Sequence, residues 1–136
     1  MYEIFEHTAD VGLRMRADDF EGLLVDAARG LFSLLVANPE SIRAVQELHL
    51  EVAGDRKDDL LRDWLAELLY TFSVRRLLFA EFTVQLHEGG LTATVRGEPL
   101  DRQRHVVEME VKAITYHGLK VEQQGNQWLA EVIVDI

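Results

Sequence analysis

At 136 residues and 15.5 kDa, with 48% hydrophobic residues, the chain has apolar material for one sizeable core and is read as a single domain over residues 1–136. It contains no cysteine, which excludes disulfides, thiolate zinc sites and cysteine nucleophiles and leaves any metal chemistry to His, Asp and Glu, favouring hard cations. Its 24 acidic and 14 basic residues give a net charge of -10, which opposes unaided binding to a polyanion, so RNA is expected to be met only through a partner.

In chain order, residues 1–5 and 12–16 alternate in part and predict two strands, with His7-Thr8-Ala9-Asp10 as the loop joining them. Asp18 and Asp19 can cap a helix in which Phe20, Leu23, Leu24, Ala27, Ala28, Leu31, Phe32 and Leu35 recur at three- and four-residue spacing. Asn38-Pro39 ends that helix. A strand over residues 45–52 leads to a second helix from Asp58-Asp59, with Leu60, Leu61, Trp64, Leu65, Leu68, Leu69 and Phe72 on its apolar side. The acidic start and the basic Arg75-Arg76 end of this helix both suit the helix dipole.

Strands follow at 78–86 and 91–95 around Glu88-Gly89-Gly90, then at 105–115, 119–122 and 128–136. The elements predict an α+β, two-layer domain in which two amphipathic helices pack on an antiparallel or mixed sheet. No run of about 18 apolar residues offers a membrane span, and the acidic N-terminal stretch lacks the basic region of a signal peptide. A soluble, cytoplasmic protein is expected.

His7-Thr8-Ala9-Asp10 sets an imidazole, a hydroxyl and a carboxylate within four residues, and Val134-Asp135-Ile136 offers a second carboxylate and further oxygens. Calcium, manganese or magnesium would suit a site of Asp10, Asp135 and Ile136 that left positions for water or a partner. The alternative is that Asp10 caps a turn and Asp135 is a solvated strand end, and spacing alone favours it. His7 as a general base oriented by Thr8 or Asp10 competes with a histidine bonded to the loop backbone. Lys112 is a candidate for a phosphate or a partner carboxylate, or else a solvated lysine. Strand alternation sets Lys112, Ile114 and Tyr116 on one face and Ala113, Thr115 and His117 on the other. Ser33, Ser41 and Ser73 lack a nucleophile context, and Gly89-Gly90, Gly97, Gly118 and Gly125 read as turn residues without a phosphate-binding pattern. No catalytic residue is assigned.

Taken in order, His7-Thr8-Ala9-Asp10 with Gly12, Ala27-Ala28 with Gly30-Leu31-Phe32, Trp64-Leu65, Glu67-Leu68-Leu69-Tyr70, Gly97-Glu98, His105, residues 111–117 and Val134-Asp135-Ile136 span the chain and resemble the archease family. The resemblance implies a non-catalytic protein cofactor of RtcB-class tRNA-splicing ligases that promotes GTP-dependent guanylation of the ligase and multiple turnover. It also implies a divalent-cation site at Asp10, Asp135 and Ile136, with His7 and Lys112 as second-rank partner contacts. A competing class is a chaperone-like module for RNA-modifying enzymes such as tRNA methyltransferases. A small metal-dependent hydrolase ranks last.

Overall fold

The computed structural model describes residues 1–7 and 10–136, with the side chains of Glu6 and His7 outside that description. Among the described residues the elements run β1 (Tyr2–His7), β2 (Asp10–Ala17), α1 (Phe20–Leu35), β3 (Gln46–Ala53), α2 (Lys57–Arg75), β4 (Leu77–His87), β5 (Gly90–Pro99), β6 (Ala113–Ile114), β7 (Lys120–Gln124) and β8 (Gln127–Asp135), with a 3-10 turn at Pro39–Ser41. The α+β expectation holds, with one refinement: the strands form two antiparallel sheets. The larger runs β1-β2-β8, with both β6 and β7 on the far side of β8, and the smaller is β3-β5-β4.

Two sheets are needed because the helices are apolar over more than one stripe. Leu23, Leu24, Ala27, Ala28, Leu31, Phe32, Leu34 and Leu35 are all buried in α1, too wide a face for one sheet to cover. That helix packs on β1, β2 and β8 of the larger sheet and on β4 of the smaller, while α2 packs on β3, β4, β6 and β7. The helices meet where the indole N–H of Trp64 donates to the Leu24 carbonyl at 2.9 Å. Phe32, Phe79, Phe82 and Trp64 form an aromatic centre with ring separations of 5.8 to 6.5 Å.

Local chemistry sets the helix ends. The Asp19 carboxylate accepts from the Gly22 N–H at 2.6 Å, and Arg76 closes α2 in the left-handed region at φ 54°. The first helix stops at Leu35, before Asn38-Pro39, because Val36 turns extended and bridges to Val107.

The expected strand over 105–115 shortens to Ala113–Ile114. On the far edge of β8, β7 pairs Gln127 through Glu131 and β6 pairs Val134 and Asp135. With Ala113 opposite Asp135 in antiparallel register, the residues before Lys112 run past the end of β8 and have no strand there to pair with. The residues before β6 are held by other means. The Val106 N–H donates to Asn38 Oδ1 at 2.8 Å, and the Glu108 N–H donates to the Leu35 carbonyl at 2.9 Å.

A buried polar cluster fastens the base of this segment. Glu98 accepts from the Arg43 N–H at 2.7 Å, from the Arg104 guanidinium and from His105 Nε2 at 3.0 Å. The Asp101 N–H donates to His105 Nδ1 at 2.9 Å, so Nδ1 acts as acceptor and the Nε2 proton points to Glu98. Burial alone would raise the Glu98 pKa, but the Arg43 N–H, His105 and Arg104 together outweigh it and hold the carboxyl below its ordinary 4.5. Gly97, read from sequence as a turn residue, lies inside β5. A Cβ there would fall 1.7 Å from the Leu78 carbonyl oxygen, beside the bulge between Phe79 and Glu81.

Two outcomes follow. Gly97→Ala should lower the urea midpoint by the equivalent of ~2 kcal/mol or more, since the obstacle is backbone. Glu98→Gln should cost about 1.5–3 kcal/mol at neutral pH. Because the folded pKa is depressed, this contribution is full above the unfolded value and is lost as pH falls through the folded one. Melting curves of wild type and Glu98→Gln should therefore converge as the pH falls below 4.5 and through the depressed folded pKa, and a gap independent of pH would contradict this role for the carboxylate.

Candidate functional site: a carboxylate pair at the sheet end

The pairing of β2 with β8 decides the site. Register runs from Asp10 opposite Asp135 to Ala17 opposite Trp128, so the two aspartates face one another at the end of adjacent strands. Directly opposed antiparallel residues share a face, with Cβ atoms about 4.5–5.5 Å apart. Period-two alternation assigns that face: Val11, Leu13 and Met15 are buried toward the helices opposite Val134, Val132 and Ala130, which leaves Asp10, Arg14 and Asp135 on the other side, partly exposed.

The outer strands extend the row. His7 is opposite Asp10 across β1 and β2, and Ala113 is opposite Asp135 across β6 and β8. The Lys112 N–H donates to the Asp135 carbonyl at 2.7 Å, and the Lys112 side chain is exposed. Ile136 follows Asp135 beyond the strand end and is 37% exposed. The fold thus gathers the backbones of His7, Asp10, Lys112, Asp135 and Ile136 at one end of the larger sheet.

Three readings of the sequence change here. Asp10 opens β2 and His7 closes β1, so both lie in strands and not in the expected loop; Thr8, Ala9 and the His7 side chain that Thr8 was to orient lie outside the described residues. Lys112 precedes β6 and is not within a long strand. Nor do Lys112, Ile114 and Tyr116 share an environment: Ile114 is buried, while Lys112 and Tyr116 are exposed.

Behind the carboxylates, on their own face, lies a support that the sequence reading passed over. Phe5 lies across Gly12, where a Cβ would come within 2.1 Å of the ring. The Arg14 guanidinium stacks 4.6 Å above Phe5, donates to Glu131 Oε1 at 3.0 Å and lies 3.6 Å from Glu3. An aromatic residue and a glycine at matching distances from the hairpin bend were the available signal.

Chemically, two facing carboxylates form a hard, anionic oxygen pair that repels itself unless a cation or a donor lies between its members. That donor set fits calcium, magnesium or manganese, with Ile136 able to add a carbonyl oxygen. Among the described residues no group of three His, Asp or Glu side chains is arranged to hold a metal, so the pair by itself leaves most of a coordination sphere to other oxygens. Among the described residues no helix is long and apolar enough to cross a membrane.

Comparison with known proteins identifies the family and the fold. The profile of the Archease protein family (MTH1598/TM1083) matches residues 2–136. Protein archease of Methanopyrus kandleri is 40% identical over 139 residues, covering 99% of each chain. The solution structure of Methanobacterium thermoautotrophicum protein 1598 superimposes with a TM-score of 0.84 at 29% identity, over 99% of this chain and 98% of that one. The crystal structure of a Thermotoga maritima archease, described as a possible chaperone, shares the fold with a TM-score of 0.70 at 22% identity, over 100% and 98% of the two chains. A whole-length family match and a relative this similar together make the chain a member of the archease family.

Proposed function

We propose that the chain activates an RtcB-class tRNA-splicing RNA ligase, promoting GTP-dependent guanylation and multiple turnover, through a divalent-cation tip formed by Asp10, Asp135 and Ile136. The observation that carries this reading is the direct opposition of Asp10 and Asp135 in the β2–β8 register. Family membership supports it. A bound calcium, manganese or magnesium ion would supply positive charge near transferring phosphates. The chain's own residues do the remaining work. Asp10 and Asp135 hold the oxygen pair, the Lys112 N–H fixes the Asp135 backbone, and the Phe5–Arg14–Glu131 stack keeps the face rigid behind them. Exposed Lys112 and the His7 position flank the pair as contacts for the ligase.

The net charge of -10 suits docking on a basic, RNA-handling enzyme in the cytoplasm, with RNA met only through that enzyme. In this role the chain is a cofactor protein and supplies no catalytic group. A second reading, a chaperone-like module for enzymes such as tRNA methyltransferases, draws on the description of the Thermotoga maritima relative as a possible chaperone.

Guanylation of a purified RtcB-class ligase with GTP and a divalent cation, with the protein substoichiometric, separates the two. Wild type should accelerate guanylation, while Asp10→Ala and Asp135→Ala should each lose most of the stimulation. Intact stimulation by a folded Asp10→Ala protein would sink the cation-tip mechanism and favour the chaperone-like module. Without any ligase, millimolar calcium, manganese or magnesium should raise the melting temperature of wild type. Asp135→Ala should weaken that effect by at least the ~10-fold in affinity that loss of even an outer partner of a metal site costs.

A further inference from the structure

The outward side of α2 is not an ordinary solvated helix face. Leu60, Leu61, Trp64, Leu65, Leu68 and Leu69 are buried against the sheets, while Arg62, Ala66, Tyr70 and Val74 recur at four-residue steps on another side. Tyr70 is 62% exposed and Val74 61%. Tyr116, equally open, extends the row: its ring lies 4.6 Å from the Arg62 guanidinium, and Arg62 Nε donates to the Ile114 carbonyl at 3.1 Å. Ala66 is half-buried against the core, while Tyr70, Val74 and Tyr116 stand open as an aromatic and aliphatic ridge.

An acidic row borders the ridge. Asp59, Asp63 and Glu67 repeat at the same four-residue step; Asp63 is bonded to Arg62 at 3.1 Å, Asp59 lies 3.9 Å from Arg56, and Glu67 forms no ion pair among the described residues. Arg62 is anchored on the Ile114 carbonyl, next to Ala113, the residue opposite Asp135, so the ridge begins at the same end of the sheet as the carboxylate pair, but on the helix side, whereas the carboxylates face away from the helices. A partner engaging both would wrap that end of the sheet.

Charge selects the occupant. A second copy of this chain would bring two acidic rows and two charges of -10 together, and RNA meets the same repulsion. A protein segment that alternates Lys or Arg with apolar side chains complements both rows at once. We propose that the ridge of Tyr116, Arg62, Tyr70 and Val74, with the Asp59–Asp63–Glu67 row beside it, docks a basic, apolar-bearing segment of the protein this chain serves, supplying affinity separately from the tip. The choice of an RtcB-class ligase as probe rests on the function proposed above.

The test is the Kd of a fluorescently labelled chain for the purified ligase at low and high salt, together with guanylation across protein concentration. Tyr70→Ser/Val74→Ser alters only open side chains and should raise the Kd by ~10-fold or more, with full stimulation recovered at saturation. Glu67→Lys should weaken binding at low salt and flatten its salt dependence. Asp135→Ala should bind within about 3-fold of wild type yet fail to stimulate, the pattern of an interaction used in the reaction and little in binding.

A double variant that binds and stimulates like wild type overturns the ridge alone. So does a wild-type dimer, or a labelled-RNA complex, that the double variant abolishes while ligase affinity stays unchanged. Wild type that neither binds nor stimulates the ligase overturns the proposed function and this partner with it.

Discussion

Everything at the functional end depends on one non-local contact, the antiparallel pairing of β2 with β8. It joins the first and last thirds of the chain, buries Leu13, Met15, Val132 and Val134 against the helices and turns the alternate residues outward. Side-chain period in a strand is two, so a slip of either strand by one residue would send its own aspartate into the core and its apolar residues into water. The apolar pattern therefore enforces the register that brings the carboxylates face to face. The oxygen pair is a by-product of hydrophobic burial on the opposite side of the same strands.

The remaining architecture keeps that sheet end open but firm. The short β6 meets β8 only at its end, where Ile114 pairs with Val134 and Ala113 with Asp135, and the Lys112 N–H donates to the Asp135 carbonyl. Residues 99–112 reach that position from β5 by way of the Glu98–His105 cluster and the exit of α1, which satisfy buried polar groups without a strand partner. A charged cluster of this kind is costly to bury, and three donors converging on one carboxylate offset the cost.

The sequence made the local elements legible where periodicity was strong. Both helices, the β4–β5 hairpin and the C-terminal strand follow from spacing and turn chemistry. Asp10 and Asp135 stood out as carboxylates in unusual settings, and the resemblance to archeases tied them together. Register was not legible, because no local signal says which distant strand lies opposite. The 105–115 stretch misled for a related reason: Val107, Met109, Val111 and Ala113 alternate as a strand would, but in the β6–β8 register only Ala113 meets a residue of β8 and the three before it run past that strand's end. The importance of Phe5, Gly12 and Arg14 and of the Glu98–His105 contact likewise depended on neighbours brought together only by folding.

The position of β8 has a consequence for the order in which the molecule is built. The smaller sheet uses β3, β4 and β5, which are close in sequence and enclose α2 between them, so its pairings close short loops. The larger sheet cannot form its centre until the final strand arrives, and bringing Asp135 to Asp10 closes a loop of nearly the whole chain. The α1 helix can cover β1 and β2 as soon as it forms, but the sheet stays without its centre until β8 docks. The carboxylate pair comes into being only at that step, so a partner that reads it reads the closure of the larger sheet as well.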